Sequence, residues 1–190
     1  MILYQNIRPD ESRYSYTIHY STVLQLREND LPVFKAVKIS PTGSIDNPQF
    51  QSAYVDNRAK SFMHYWLYLM ETIENNAHKF KELLAEKFEL NLSTSSKVST
   101  LAGFNDWASS IPLRIKESGH YPKNFKAKEN SDHTIDVSVD LEWIGISVDG
   151  KPMKAETHHD WVLENNLDER FARMKNMVVT QVIPFQIIEQ

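Results

Sequence analysis

The chain has 190 residues, 41% hydrophobic and 24% charged, with a formal net charge of -4, the profile of one globular domain able to bury a full core. Its 21 basic and 25 acidic side chains form no basic patch, so no nucleic-acid partner is expected. Cysteine is absent, which removes disulfides, thiolate nucleophiles and Cys-based zinc sites, and 5 glycines leave no phosphate-cradling loop.

Residues 1–9 carry neither a basic leader nor a long apolar stretch, and no window is long enough to cross a bilayer. A cytoplasmic protein without a signal peptide or membrane contact is therefore expected. Tyr14, Tyr16, Ile18 and Tyr20 alternate with Ser15, Thr17 and His19, a strand pattern. Residues 33–39 form a second candidate strand, closed by Pro41-Thr42-Gly43. Asp46-Asn47-Pro48 and Asp56-Asn57 punctuate the approach to a helix. Residues 1–57 thus read as an arm or hairpin packed on a main domain, being too small for a core of their own.

Residues 58–74 predict a helix, with Phe62, Trp66, Leu69 and Ile73 on one stripe. Asn75-Asn76 breaks it, and residues 78–86 predict a shorter helix burying Phe80, Leu83 and Leu84. Phe88, Leu90 and Leu92 then alternate as a brief strand, followed by a polar loop at 93–96. A third helix is expected after Asn105 or Asp106, either of which could cap it, carrying Trp107, Ile111 and Ile115.

From about residue 123 the reading is strand after strand. Residues 124–128 are short, and residues 134–148 are long with a change of parity: Val137, Val139, Leu141 and Trp143 fall on one phase, Ile144, Ile146 and Val148 on the other. A bulge near Gly145 would account for that change. Asp149-Gly150 is a hairpin signal. Ala155, Thr157, His159, Trp161 and Leu163 alternate in the next strand, Asn165-Asn166 turns the chain, and residues 171–185 close it. The expected class is α+β: three helices covering one face of a curved antiparallel sheet.

This order resembles the nuclear-transport-factor-2-like superfamily, which includes SnoaL-like polyketide cyclases and ketosteroid isomerases. The matching stretches are residues 80–90, the hairpin at Asp149-Gly150-Lys151-Pro152, and residues 157–163, together spanning about 58–185. The resemblance implies a cystatin-like cone with an internal pocket and a homodimer formed through the sheet face. Isomerase-like members keep a helix tyrosine, a carboxylate base after the first strand and an inner acid. Those positions fall here on Tyr68, Leu92 and near His159. Leucine takes no proton, so the isomerase route lacks its base.

His159 shares a phase with Thr157 and Trp161 and should point into the cone, as a general acid or base or as a satisfied core histidine. On the helical wheel Tyr68 lies roughly 130° from the apolar stripe and Tyr65 roughly 70°, so either ring is a candidate for the cavity. His64 precedes Tyr68 by one helical turn and could sit beside it. Trp107, Trp143, Trp161 and Leu92 could line an apolar ligand site. Adjacent strand residues face opposite ways, so His158 and His159 cannot chelate one ion, and neither metal nor cofactor is expected. Three functions stay open: a dimeric cone holding a small apolar or aromatic ligand, a cofactor-independent cyclase, dehydratase or isomerase using His159 with Tyr65 or Tyr68, and a dimerisation scaffold without a pocket.

Overall fold

A computed structural model describes residues 2–10, 12–27, 30–46, 53–92, 96–166 and 168–188. The expected turn at Asn47-Pro48 and most of the polar loop at 93–96 lie outside the described residues. The chain divides into two compact units, Met1–Gln51 and Ser52–Gln190.

The first unit is an antiparallel sheet of β1 (Ile2–Ile7), β2 (Arg13–Arg27) and β3 (Asp30–Asp46) in that order. The strand does not stop at Pro41-Thr42-Gly43, as the sequence suggests. Ile18 pairs with Pro41 and Tyr16 with Ser44, while Gly43, at φ +64°, is the extra residue of a bulge that lets the ladder continue.

The second unit begins with α1 (Ala53–Glu71), where Phe62, Trp66 and Leu69 are buried on one stripe. A short helix α2 (Ile73–Asn76) and a 3₁₀ turn at Ala77–Glu82 follow in place of the expected second α-helix. Leu84 already opens the next strand. The helix α3 (Leu101–Ser110) starts earlier than Asn105 or Asp106 would place it, because Thr100 is its cap: the Thr100 hydroxyl accepts from the Gly103 amide at 3.1 Å.

The sheet of this unit comprises β4 (Leu84–Asn91), β5 (Lys97–Val98), β6 (Ile115–Glu129), β7 (Thr134–Ser147), β8 (Pro152–Glu164) and β9 (Arg173–Ile187), in the order β5-β4-β9-β8-β7-β6. It is mixed rather than purely antiparallel, since β9 runs parallel to β4, with Leu84 opposite Met174 and Leu90 opposite Met177. Ile115, expected on the third helix, begins β6 instead. The expected bulge near Gly145 is absent from β7, which pairs with β8 without interruption from Thr134 to Ile146. The irregularities lie on β6, around residue 116 and at Asn124, whose φ of 52° asparagine tolerates. Ile144 faces outward, 42% exposed, and Gly145 stays on the inner phase.

An aromatic spine joins helices to sheet: Trp161 meets Phe62 edge-on at 5.9 Å, Trp66 meets Phe80 at 4.8 Å, and Phe80 meets Phe104 at 5.0 Å. This half of the cone is solid, with Ile135, Val137, Trp161 and Leu163 buried on the inner face. Farther along β7 and β8, Gly145, Ala155 and Thr157 take inner positions opposite Met153, Trp143 and Leu141, and these small residues leave space that the larger ones do not fill. That half is hollow.

Candidate functional site

The hollow is a cavity of about 430 Å³ within the second unit. Its walls are mostly aliphatic and aromatic, with Trp66, Leu92, Trp107, Leu141, Trp143 and Phe185 prominent among them. Trp143 and Phe185 pack edge-on at 4.9 Å, and Phe185 is 40% exposed. The Trp143 ring crowds against Gly145: a Cβ there would fall 2.4 Å from ring carbon Cη2 and 2.9 Å from the Glu117 carbonyl oxygen. Only glycine admits this wall.

Five polar side chains break the apolar lining: Thr157, His159, Ser118, His120 and Arg114. The His159 ring is clamped from both sides. The Trp161 indole N–H, a donor only, approaches His159 Nδ1 at 3.3 Å, so Nδ1 accepts and Nε2 carries the hydrogen. That Nε2–H donates to the Thr157 hydroxyl oxygen at 2.9 Å, leaving the hydroxyl proton of Thr157 for a guest. Burial, with the nearby His120 and His158 rings adding to it, pushes His159 down to about 3, so at neutral pH it is an uncharged, fully engaged ring.

His120 is arranged differently. Glu71, the last residue of α1, accepts from the His120 backbone amide at 2.7 Å and from His120 Nδ1 at 3.2 Å, all through Oε1. Burial works to raise the Glu71 carboxyl, but the two hydrogen bonds from His120 outweigh it and hold the group below its ordinary value. The carboxylate holds the ring through Nδ1, and His120 is one of the residues that line the cavity. A carboxylate–imidazole pair of this kind can take a proton and spread the resulting positive charge.

The residues singled out in the sequence separate into two groups. Leu92, Trp107, Thr157 and His159 line the cavity, and Trp161 stands behind it as the partner of His159. Tyr65, Tyr68 and His64 are not among the lining residues. Tyr65 stacks on Phe171 at 4.7 Å and on Tyr68 at 6.2 Å, while Tyr68 and His64 are exposed, as the roughly 130° offset of Tyr68 from the apolar stripe would place it. His158, on the outer face of β8, pairs through Nδ1 with Asp140 at 2.6 Å. Glu71, Arg114, Ser118 and His120 were not legible as a site. Residues 118–123 have no apolar alternation to announce a strand, and Glu71 lies 49 positions away from His120.

No protein-family model and no curated protein matches this sequence. Among solved structures, a protein of Novosphingobium aromaticivorans provisionally named a scytalone dehydratase superposes with a TM-score of 0.63 at 9% identity, covering 73% of this chain and 90% of that one. A type 2 hexachlorocyclohexane dehydrochlorinase (LinA) gives 0.59 at 12% identity, covering 73% and 89%. A Caulobacter vibrioides protein with a cystatin-like fold gives 0.56 at 13%, covering 69% and 92%. The chain carries the nuclear-transport-factor-2-like fold. Identities this low speak to the fold and not to activity, and the nuclear-transport-factor-2-like cone here accounts for the α+β layering and for a hollow at one end of the sheet.

Proposed function

We propose that this protein binds a compact, largely apolar or aromatic small molecule in the cone, as a homodimer. One observation carries the ligand reading: a cavity of about 430 Å³ walled by aromatic and aliphatic side chains, with a few polar groups set apart along it. A filled core, as a scaffold would have, leaves no such space. The test is a neutral fluorescent probe, N-phenyl-1-naphthylamine, whose emission should rise on binding the wild type. Thr157→Trp, which plugs the hollow, should abolish the rise. Equal signals from both proteins would place the probe elsewhere and remove the reading. Light scattering at micromolar concentration showing only a 22.1 kDa species would remove the dimer.

The Glu71–His120 pair favours a second reading, a cofactor-independent elimination or isomerisation. Two of the similar structures are named for eliminations, a dehydratase and a dehydrochlorinase. In this reading His120, not His159, is the base. Its Nε2 takes a proton from a ligand carbon, and Glu71 stabilises the imidazolium through Nδ1–H. The carbon–hydrogen electron pair forms a double bond as a substituent leaves the neighbouring carbon with its own pair. In an isomerisation that electron density would instead reach a carbonyl oxygen, to which the Thr157 hydroxyl donates, and the His120 imidazolium would return the proton to a different carbon as the enolate collapses. Both His120→Gln and Glu71→Gln should then lose turnover by a factor of about 10² or more. Full activity in His120→Gln would remove the base.

A further inference from the structure

Among the residues that line the cavity, Arg114 is the one that carries a permanent charge; no Asp, Glu or Lys is among them. It lies in the turn between α3 and β6, where its backbone is fixed by bonds from its own amide to the Ile111 carbonyl at 3.0 Å and from the Val148 amide to its carbonyl at 3.0 Å. The side chain is exposed at the cavity rim and reaches back to the end of α3. Its Nε and Nη2 make long contacts of 3.4 Å to the Ser110 carbonyl and hydroxyl oxygens. Those contacts use two of the five guanidinium N–H groups. No carboxylate of the described residues lies within ion-pair distance.

Glu71 does not line the cavity, and its carboxylate is engaged by His120. Elsewhere in this unit Arg58 donates to Asn165, Arg170 and Asn166, Arg173 pairs with Glu169, and Arg170 lies over the Phe171 ring, none of them lining the cavity. Arg114 alone combines an apolar hollow on one side with an unneutralised fork of donors. Inward from it, Ser118 and His120 follow on the cavity side of β6, opposite Gly145 and Trp143. Two residues apart on one strand face, they stand roughly 7 Å from each other. Guanidinium, hydroxyl and imidazole therefore follow one another in chain order among the lining residues.

We infer that the ligand carries an anionic head, a carboxylate, which pairs with Arg114 at the rim while its apolar body fills the cone. The fork geometry of the guanidinium suits two parallel N–H···O bonds to a carboxylate, and the apolar walls beside it leave that charge less screened than in open water. The inference rests on the ligand-binding reading above and narrows it to amphipathic aromatic acids.

The test is calorimetric titration at about pH 7.5 with two nearly isosteric probes, naphthalene-2-carboxylate and naphthalene-2-carboxamide, the first ionised there and the second neutral. The wild type should bind the carboxylate about tenfold more tightly than the amide, a gap that narrows in high salt. Arg114→Gln should keep its affinity for the amide, which also shows the cone intact, and lose the preference. Equal affinities in the wild type, or a preference that survives in Arg114→Gln, would overturn the inference while leaving the cavity reading standing. No binding of either probe would overturn both.

Discussion

Replacing His159 with glutamine should flatten the acid side of the stability curve. The ring titrates at about 3 in the folded protein against an ordinary value of 6.5, so on acidification the unfolded chain takes up its proton first. The stability associated with a neutral buried ring is complete at neutral pH and above. It falls away as pH drops below 6.5 and stops changing near 3. At about 1.4 kcal/mol per unit, the loss between about pH 7.5 and about pH 5 is roughly 2 kcal/mol, or about 4–8 °C in melting temperature for a chain of this size. Opposite effects operate on the outer face. The hydrogen bond that His158 donates to Asp140 raises His158, whose contribution is full below 6.5 and lost as pH rises. That pair is present in both proteins and drops out of the comparison. The assay is urea unfolding of wild type and His159→Gln at the two pH values. The variant starts lower, because Trp161 and Thr157 lose their partner, but it should lose about 2 kcal/mol less on acidification. Parallel losses in the two proteins would refute a ring held neutral down to about pH 3 in the folded protein.

Gly145→Ala should destabilise by about 1–3 kcal/mol in urea unfolding and alter the near-ultraviolet dichroism, because a Cβ 2.4 Å from the Trp143 ring must displace it and the Glu117 carbonyl blocks the other side. Thr100→Ala should cost about 1 kcal/mol by removing the cap of α3, with Thr100→Ser restoring most of it. Asp140→Asn should lower the His158 titration midpoint, read by NMR, since the carboxylate at 2.6 Å is the main cause of its elevation.

The parts of the fold that could be read in the sequence were those where burial writes a period into it. The α1 stripe of Phe62, Trp66 and Leu69 and the inner row of Ala155, Thr157, Trp161 and Leu163 are all buried. The Asp149-Gly150 hairpin holds too, with Gly150 at φ +82° and its amide bonded to the Ser147 carbonyl. Where burial is partial the period fades. Strand β6 alternates weakly because much of it is exposed, so Ile115 read as helix and residues 115–123 as no strand at all. The parity change in β7 looked like a bulge because Gly145 is silent in a hydrophobic pattern; its inner position is filled by the neighbouring Trp143 ring. His159 was placed on the cavity phase by strand alternation alone. Its clamp between Trp161 and Thr157 was not foreseeable, because it depends on the side-chain conformations of residues two apart on the same face. His120 and Glu71 form a pair only through tertiary contact, between the end of a helix and a strand whose signal is weak. A lone histidine beside Gly119 gave no reason to choose it.

Strand β9 lies between β4 and β8, parallel to the first and antiparallel to the second. During synthesis, both of its neighbours leave the ribosome before it does. Until about residue 178 has emerged, β4 and β8 each present an open row of amides and carbonyls with nothing between them. A nascent chain stalled after residue 164 would hold finished hairpins yet no closed sheet, and chaperone capture should concentrate in that interval.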